Sequence, residues 1–224
     1  MKKALTILMI LLALGSVAFA KAGFTVSVGG SYDFVNSRGV DKDGEATDNY
    51  LRGHAFGVAA GVTYNFSDHF LAYYDGTFGI VAGQEFNYED LQDFTVTIAT
   101  THHAGVGYDF NLDKLDLQVG AGLALSYAGI FGTGKVEDTT GSMTIGISSV
   151  GLGLYGKVGY KLSEGFSVGL TVHPDFMFVS ADVASATETE TVGKATHTTT
   201  ETVSVGGTAF AFKCNAAVGV TFMF

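Results

Sequence analysis

The side chains best suited to chemistry in this 224-residue sequence are isolated charged, phenolic and imidazole groups set among small residues. Their spacing places six of them on inward faces of predicted strands, namely Asp75, Tyr155, Lys157, His173, Asp175 and Lys213. We expect Asp175 almost opposite Lys213, with His173 one inward position away. A buried ion without a partner is costly, so these groups must pair. The cluster predicts either a plug of salt bridges that rigidifies the interior or a narrow polar path or binding cleft.

A second pair is expected in the same interior, nearer the strand ends at Phe70 and Leu162. Asp75 should lie between Gly61 and Gly105 of its two neighbouring strands, where the absent side chains leave room for a long partner. Lys157 is as far from the strand end at Leu162 as Asp75 is from the strand end at Phe70. Tyr155 is the next inward residue beyond Lys157, further from that end. The sequence therefore predicts that Lys157 reaches Asp75 from across the interior.

The histidines do not complete a catalytic site. His102 falls in the outward phase, where a lipid hydrolase could place a base, but its same-face neighbours are Thr100 and Ala104 and no serine is adjacent. His103 and His173 face inward, again with no serine beside them. We predict a protein that is not an enzyme and has no cofactor.

Two further motifs fail on structural context. Gly151-x-Gly153-x-x-Gly156 matches a dinucleotide fingerprint, but it lies inside a predicted strand rather than at a strand-to-helix turn. Asp41-x-Asp43-Gly44-Glu45 resembles part of a calcium loop, but its glycine comes too early and no later glutamate completes the ligands. We predict no metal site.

The acidic balance limits the partners. Twelve Lys and Arg against 22 Asp and Glu give a net charge of −10, which argues against nucleic-acid binding. The single Cys excludes an internal disulfide. Most of the acidic excess falls in predicted loops, which we interpret as solvated, with surface ligands or divalent ions as the alternative: Asp41, Asp43, Glu45, Asp48, Glu85, Glu89, Asp90, Asp93, Glu137, Asp138, Glu188 and Glu190.

The elements that carry these residues are strands. Eight stretches alternate between apolar and small polar residues with a period of two. They cover residues 24–34, 56–66, 70–80, 96–110, 115–127, 150–162, 166–178 and 210–224. Four strands end alike, as in Val62-Thr-Tyr64-Asn-Phe66 and Val220-Thr-Phe222-Met-Phe224. The sequence thus predicts four up-down hairpins.

The connections differ at the two ends of the predicted strands. Short polar turns at 67–69, 111–114 and 163–165 lie at one end. Longer connections, centred near Glu45, Asp90, Asp138 and Gly193, lie at the other. In the last of these, threonines alternate on both sides of a Val192-Gly193-Lys194 turn, which allows an ordered extension of the hairpin.

Side-chain size tells the two faces apart. The polar phase is mostly Gly, Ala, Ser and Thr with few charges, which suits the cramped interior of an eight-stranded barrel. The apolar phase is large and aromatic near both strand ends, as in the girdles of a transmembrane barrel. We predict an all-β, eight-stranded, antiparallel up-and-down transmembrane barrel with outward apolar residues. A soluble lipocalin-like barrel is the alternative.

The first twenty residues read as a secretory signal. Lys2 and Lys3 precede an apolar run from Ala4 to Leu14, and a small-x-small site ends at Ala20. The run is too short for a membrane-spanning helix. We therefore expect residues 1–20 to be cleaved and residues 21–224 to form one barrel domain.

The predicted architecture and the repeated aromatic-x-aromatic strand ends resemble the small OmpA/OmpX/OmpW-type barrels of the bacterial outer membrane. The resemblance covers residues 24–224 and implies short turns in the periplasm, long loops outside and contact with outer-membrane lipid. It also implies that Phe222 and Phe224 form the signal read by the barrel-assembly machinery. We expect a non-enzymatic function in envelope integrity, adhesion or surface interaction, or alternatively a narrow pore or transporter for small solutes; the resemblance to OmpW implies that apolar solutes are among them.

Overall fold

A computed structural model describes residues 23–86, 89–90, 95–110, 112–136, 139–192 and 195–224; the predicted signal segment 1–20 lies outside them. Eight long strands are present: β1 Phe24–Val40, β2 Ala46–Asn65, β3 Phe70–Phe86, β4 Thr95–Asp109, β5 Leu115–Val136, β6 Thr139–Ser163, β7 Phe166–Val192 and β8 Ala195–Met223. Each pairs antiparallel with its neighbours in sequence, and β1 pairs with β8 to close the ring. A two-residue segment, Glu89–Asp90, adds to the end of β3. The predicted fold class is confirmed.

The wall of the barrel carries its large apolar residues on the outside, as the alternation predicts. Val62 and Leu123 are 38% and 58% exposed, whereas Gly61 is buried. Every strand exposes large apolar side chains in this way. A continuous apolar surface of this kind is unfavourable in water and favourable in hydrocarbon. In hydrocarbon the strands must form a closed ring, because unpaired backbone groups at a strand edge would have no hydrogen-bond partner. The wall is therefore built to span a membrane. Among the described residues, no helix is long and apolar enough to cross one.

Aromatic contacts mark both ends of this apolar belt. Near the short turns, the rings of Phe70 and Tyr108 pack edge to face with centroids 5.6 Å apart. At the opposite end, Phe176 and Phe212 pack in the same way at 5.5 Å. Aromatic side chains favour the two interfaces of a membrane because one end of the residue is apolar and the other tolerates water.

A tight turn between β1 and β2 accounts for the acidic motif that resembles a calcium loop. Asp41 Oδ1 accepts hydrogen bonds from the backbone N–H groups of Asp43, at 2.9 Å, and Glu45, at 3.0 Å. Gly44 has a φ of 82°, a conformation that glycine adopts without strain. The spacing of the motif is thus explained by the turn that it builds.

We call the end of the barrel opposite the short turns its upper end. Four strands continue as a sheet beyond the aromatic residues at this end. Strands β5 to β8 contain 22, 25, 27 and 29 residues, whereas about 9–11 tilted residues span the hydrocarbon core. We call their outer parts the protruding sheet, comprising residues 131–136, 139–146, 182–192 and 195–205. Much of the chain predicted as loops near Asp138 and Gly193 is therefore strand.

The predicted threonine-rich extension is confirmed at the end of this sheet. Thr187 pairs with Thr200 and Thr189 with Thr198, with hydroxyl oxygens 3.1 Å and 3.3 Å apart. Glu188, predicted in a loop, lies in β7. Several predicted loop and turn positions fall outside the described residues: Asp93, Asn111, Glu137, Asp138, Gly193 and Lys194.

Candidate functional site

The lower part of the barrel interior holds a network of buried polar side chains. Lys157 Nζ lies 3.1 Å from Asp116 Oδ2. Gln118 Nε2 donates to Asp116 Oδ1 at 2.9 Å and to Asp109 Oδ2 at 3.2 Å. The Tyr155 hydroxyl donates to Gln118 Oε1 at 2.7 Å. Each charge in this layer therefore has a partner of opposite sign or a hydrogen bond.

The predicted pair between Lys157 and Asp75 is wrong. Lys157 lies opposite Gln118 on the adjacent strand β5, so Asp116 is its diagonal neighbour and is nearer than any residue across the bore. Sequence analysis missed Asp116 as the partner of Lys157. The alternation of Asp116 with outward-facing Leu115 and Leu117 indicates that its side chain faces the interior.

Asp75 instead lies next to two histidines. Gly61 lies opposite Asp75 on β2, as predicted, and a side chain at Gly61 would overlap the Asp75 carboxylate. On the other side the predicted neighbour Gly105 is wrong, since His103 is opposite Asp75. The cause is a stagger of two residues between β3 and β4. Phe70 pairs with Tyr108 rather than with Phe110, the last residue of the predicted strand. A closed barrel requires such stagger between strands.

The middle of the interior is a chain of two carboxylates and two imidazoles. His173 Nε2 lies 3.3 Å from Asp75 Oδ2, although the contact is not aligned as a hydrogen bond. His103 Nε2 lies 3.0 Å from both Asp175 oxygens. The two rings stack with centroids 3.9 Å apart and an interplanar angle of 9°.

Above this chain, Lys213 lies directly opposite Asp175, which is the register expected from the sequence. Its ammonium donates to the Ser126 hydroxyl. Asp33 accepts a hydrogen bond from Thr77 Oγ1 at 3.2 Å. Sequence analysis missed Asp33 as a member of the cluster, although its alternation with outward-facing residues gave the signal. All six predicted side chains thus face the interior, in two separate networks.

A small cavity lies beside Asp75 and His173. Its lining runs from Ser27 near the short-turn end to Thr77 and Asn215 in the middle, and it leaves about 30 Å³ for the centres of water-sized molecules. That volume admits about two waters. Asn215 is 2% exposed, and its Oδ1 accepts no hydrogen bond from the described residues.

A cluster of buried apolar side chains lies at the upper end of the interior. We call this cluster the apolar cap; it consists of Val35, Ala55, Val81, Ala99, Ala128, Ile130 and Ile147, all buried. The polar network therefore lies between this cluster and the short turns. Sequence analysis missed the cap because the predicted strands stopped below several of its members.

Outside the barrel, His102 is held in a chain of hydrogen bonds. The Tyr74 hydroxyl lies 2.8 Å from His102 Nδ1, and Thr100 Oγ1 lies 3.2 Å from Nε2. Thr100 Oγ1 itself donates to the backbone carbonyl of Thr77 at 2.6 Å. The single hydroxyl proton of Thr100 is thus given to a carbonyl, and His102 cannot accept it as a base in this arrangement. Among the described residues, no group of three or more His, Cys, Asp or Glu side chains is arranged to hold a metal ion.

Comparison with known proteins identifies the fold. No protein-family model matches the chain, and no curated protein matches it in sequence. A major outer membrane protein of Thermus thermophilus is similar in structure, with a TM-score of 0.57 and 13% identity over 90% of this chain and 99% of its own. The outer membrane protein OprG of Pseudomonas aeruginosa has a TM-score of 0.50 and 14% identity over 91% and 97%. The closed ring, its apolar outer wall and these likenesses together show that the chain has the fold of the small eight-stranded outer-membrane β-barrels.

Proposed function

We propose that this protein is a non-enzymatic surface-interaction protein of the bacterial outer membrane, in which the barrel anchors the protruding sheet. Export through the signal peptide 1–20 and assembly through Phe222 and Phe224 belong to the same proposal. The Phe224 N–H donates to the Phe24 carbonyl at 3.0 Å, so this end of β8 is attached to β1 where the ring closes.

The observation that carries the proposal is the open edge of the protruding sheet. Strand β8 pairs with β1 only up to Cys214, so its residues 195–205 pair with β7 alone within the described chain. Natural proteins protect such edges with lysine, proline or bulges. Residues 195–205 contain neither lysine nor proline and are rich in β-branched residues. Such an edge can take up an extended segment of another polypeptide as an added strand.

The length of the sheet suits this role. From Phe178, β7 continues to Val192, which is roughly 46 Å of additional strand. The tip of the edge at Ala195, which pairs with Val192, is thereby held well away from the hydrocarbon. The interior favours an anchor over a conduit, because the bore holds buried charge pairs and a cluster of buried apolar side chains lies at its upper end.

The edge can be tested by placing charge on it. We expect Thr198→Lys/Thr200→Lys to abolish attachment of cells displaying the protein to a panel of purified surface proteins. Thr187→Lys/Thr189→Lys is the matched control, since it adds the same charge to the directly opposite positions of the internal strand β7. Attachment would be measured at equal surface expression. Equal losses in both variants, or no attachment by the wild type, would contradict the proposal.

A narrow pore is the second candidate, and the cavity beside Asp75 is the observation that favours it. Single-channel recording of the purified protein in planar bilayers separates the two functions. Stable conductance steps that change in Lys157→Ala or Asp75→Ala would support a pore. Absence of conductance steps in the wild type would support the anchor.

A further inference from the structure

We infer that the cavity beside Asp75 binds a small monovalent cation, for which sodium is the natural probe. The cavity is lined by oxygen-bearing side chains from four strands: Ser27, Asp75, Thr77, Thr171, Asn215 and Thr221. Oxygen atoms of this kind are the ligands that hard cations prefer. The available space admits a body about the size of one or two waters.

Within the described chain, the carboxylate at the cavity has no ammonium partner. Asp75 borders the cavity, and among the described residues its one ion-pair contact is with His173, whose Nε2 lies 3.3 Å from Oδ2 without the alignment of a hydrogen bond. Asp75 therefore presents to the cavity a carboxylate that no described lysine neutralises.

An unpartnered buried atom points to the same place. Asn215 lies opposite Asp33 on β1 and directly opposite His173 on β7, and its side chain borders the cavity. Oδ1 accepts no hydrogen bond from the described residues although Asn215 is almost fully buried. A buried acceptor of this kind requires water or a cation. A carboxylate and an amide oxygen together favour the cation.

Two features set the class of ligand. Lys157 also borders the cavity, but its ammonium is paired with Asp116 at 3.1 Å, so its charge is balanced there. Asp75 is the single carboxylate in the cavity lining. Divalent ions select sites with several carboxylates or a closed set of nitrogen and sulfur ligands, and this lining offers neither. A singly charged ion matches the single carboxylate.

The test compares sodium with choline, which carries the same charge but exceeds the cavity. Thermal unfolding of the full-length protein in phosphatidylcholine nanodiscs would be followed at constant ionic strength and fixed pH. We expect the wild-type Tm to rise by about 2–6 °C when choline is replaced by sodium at about 300 mM, because a ligand of the folded state stabilises it. Asp75→Asn should lose this difference. Asp113→Asn, which removes a charge from an exposed turn, should keep it.

Identical wild-type Tm values in sodium and choline would overturn the inference and leave water as the occupant. A difference that persists in full in Asp75→Asn would overturn it as well, since the ion would then act elsewhere. If Asp75→Asn fails to fold, Asn215→Ala takes its place, with the same expected loss of the sodium effect. The surface-interaction proposal is unaffected by either result, because the cavity and the protruding sheet are separate.

Discussion

The strongest test of the interior network is the removal of Asp175. This carboxylate is fully buried, its two oxygens lie 3.0 Å from His103 Nε2, and Lys213 stands directly opposite. Asp175→Ala leaves the imidazole without its acceptor and the ammonium without its nearest counter-charge, and breaking a buried pair in this way costs about 3–5 kcal/mol. Asp175→Asn also removes the counter-charge of Lys213, but it keeps an oxygen that accepts from His103, so it should cost about 1–2 kcal/mol less than alanine.

Urea unfolding in phospholipid vesicles at fixed pH, followed by tyrosine fluorescence and by gel mobility, measures both changes. Asp113→Ala, in an exposed turn, serves as the control and should stay within about 0.5 kcal/mol of the wild type. A loss below about 1 kcal/mol for Asp175→Ala, or equal losses for alanine and asparagine, would refute the reasoning. Either result would mean that water in the bore replaces the carboxylate.

Three further predictions follow from single contacts. Gly153→Ala places a Cβ 2.7 Å from Asp175 Oδ1 and should lower the free energy of unfolding by about 1–3 kcal/mol, measured in the same urea assay. Burial raises the pKa of Asp182, which lies in the protruding sheet, against the lowering effect of the hydrogen bond from the Val40 N–H. The folded state therefore prefers the protonated carboxyl of Asp182, so the free energy of unfolding is highest at low pH and falls as the pH rises above about 4. Asp182→Asn removes the charge and should be more stable than the wild type at neutral pH in urea unfolding. Phe224→Ser should slow insertion into the outer membrane, measured by pulse-chase folding in cells, while refolding in detergent stays normal.

The sequence predicts the wall of this barrel better than its interior pairs. Alternation and side-chain size were sufficient for the strands and their outward faces, because each depends on neighbouring residues only. The Asp175–Lys213 register was also accessible, since one hairpin connects the two strands. The partner of Asp75 was not, because β3 and β4 are offset by two residues and this stagger belongs to the closed ring as a whole. The apolar cap escaped for a related reason: Ile130 and Ile147 lie beyond the predicted strand ends.

The junction between barrel and protruding sheet is marked by β-bulges. The register between β6 and β7 shifts at Val150/Gly151, and that between β7 and β8 shifts at Met177/Val179. A bulge adds a residue to one strand, bends it and exchanges its two faces beyond that point. The exchange is visible in β7, where outward-facing Phe176 is even-numbered and outward-facing Val179 is odd-numbered.

The bulges connect the interior network to the surface. Asp175 lies two residues before the β7 bulge, and Ser180, just beyond it, is buried against Ser149 and the Ser148 carbonyl. The strand is thus fixed on both sides of the point where it bends. Beyond the bulge, β8 stays paired with β7 without interruption as far as Ala195. The fixed bend in β7 therefore lies where the barrel passes into the protruding sheet that carries the open edge.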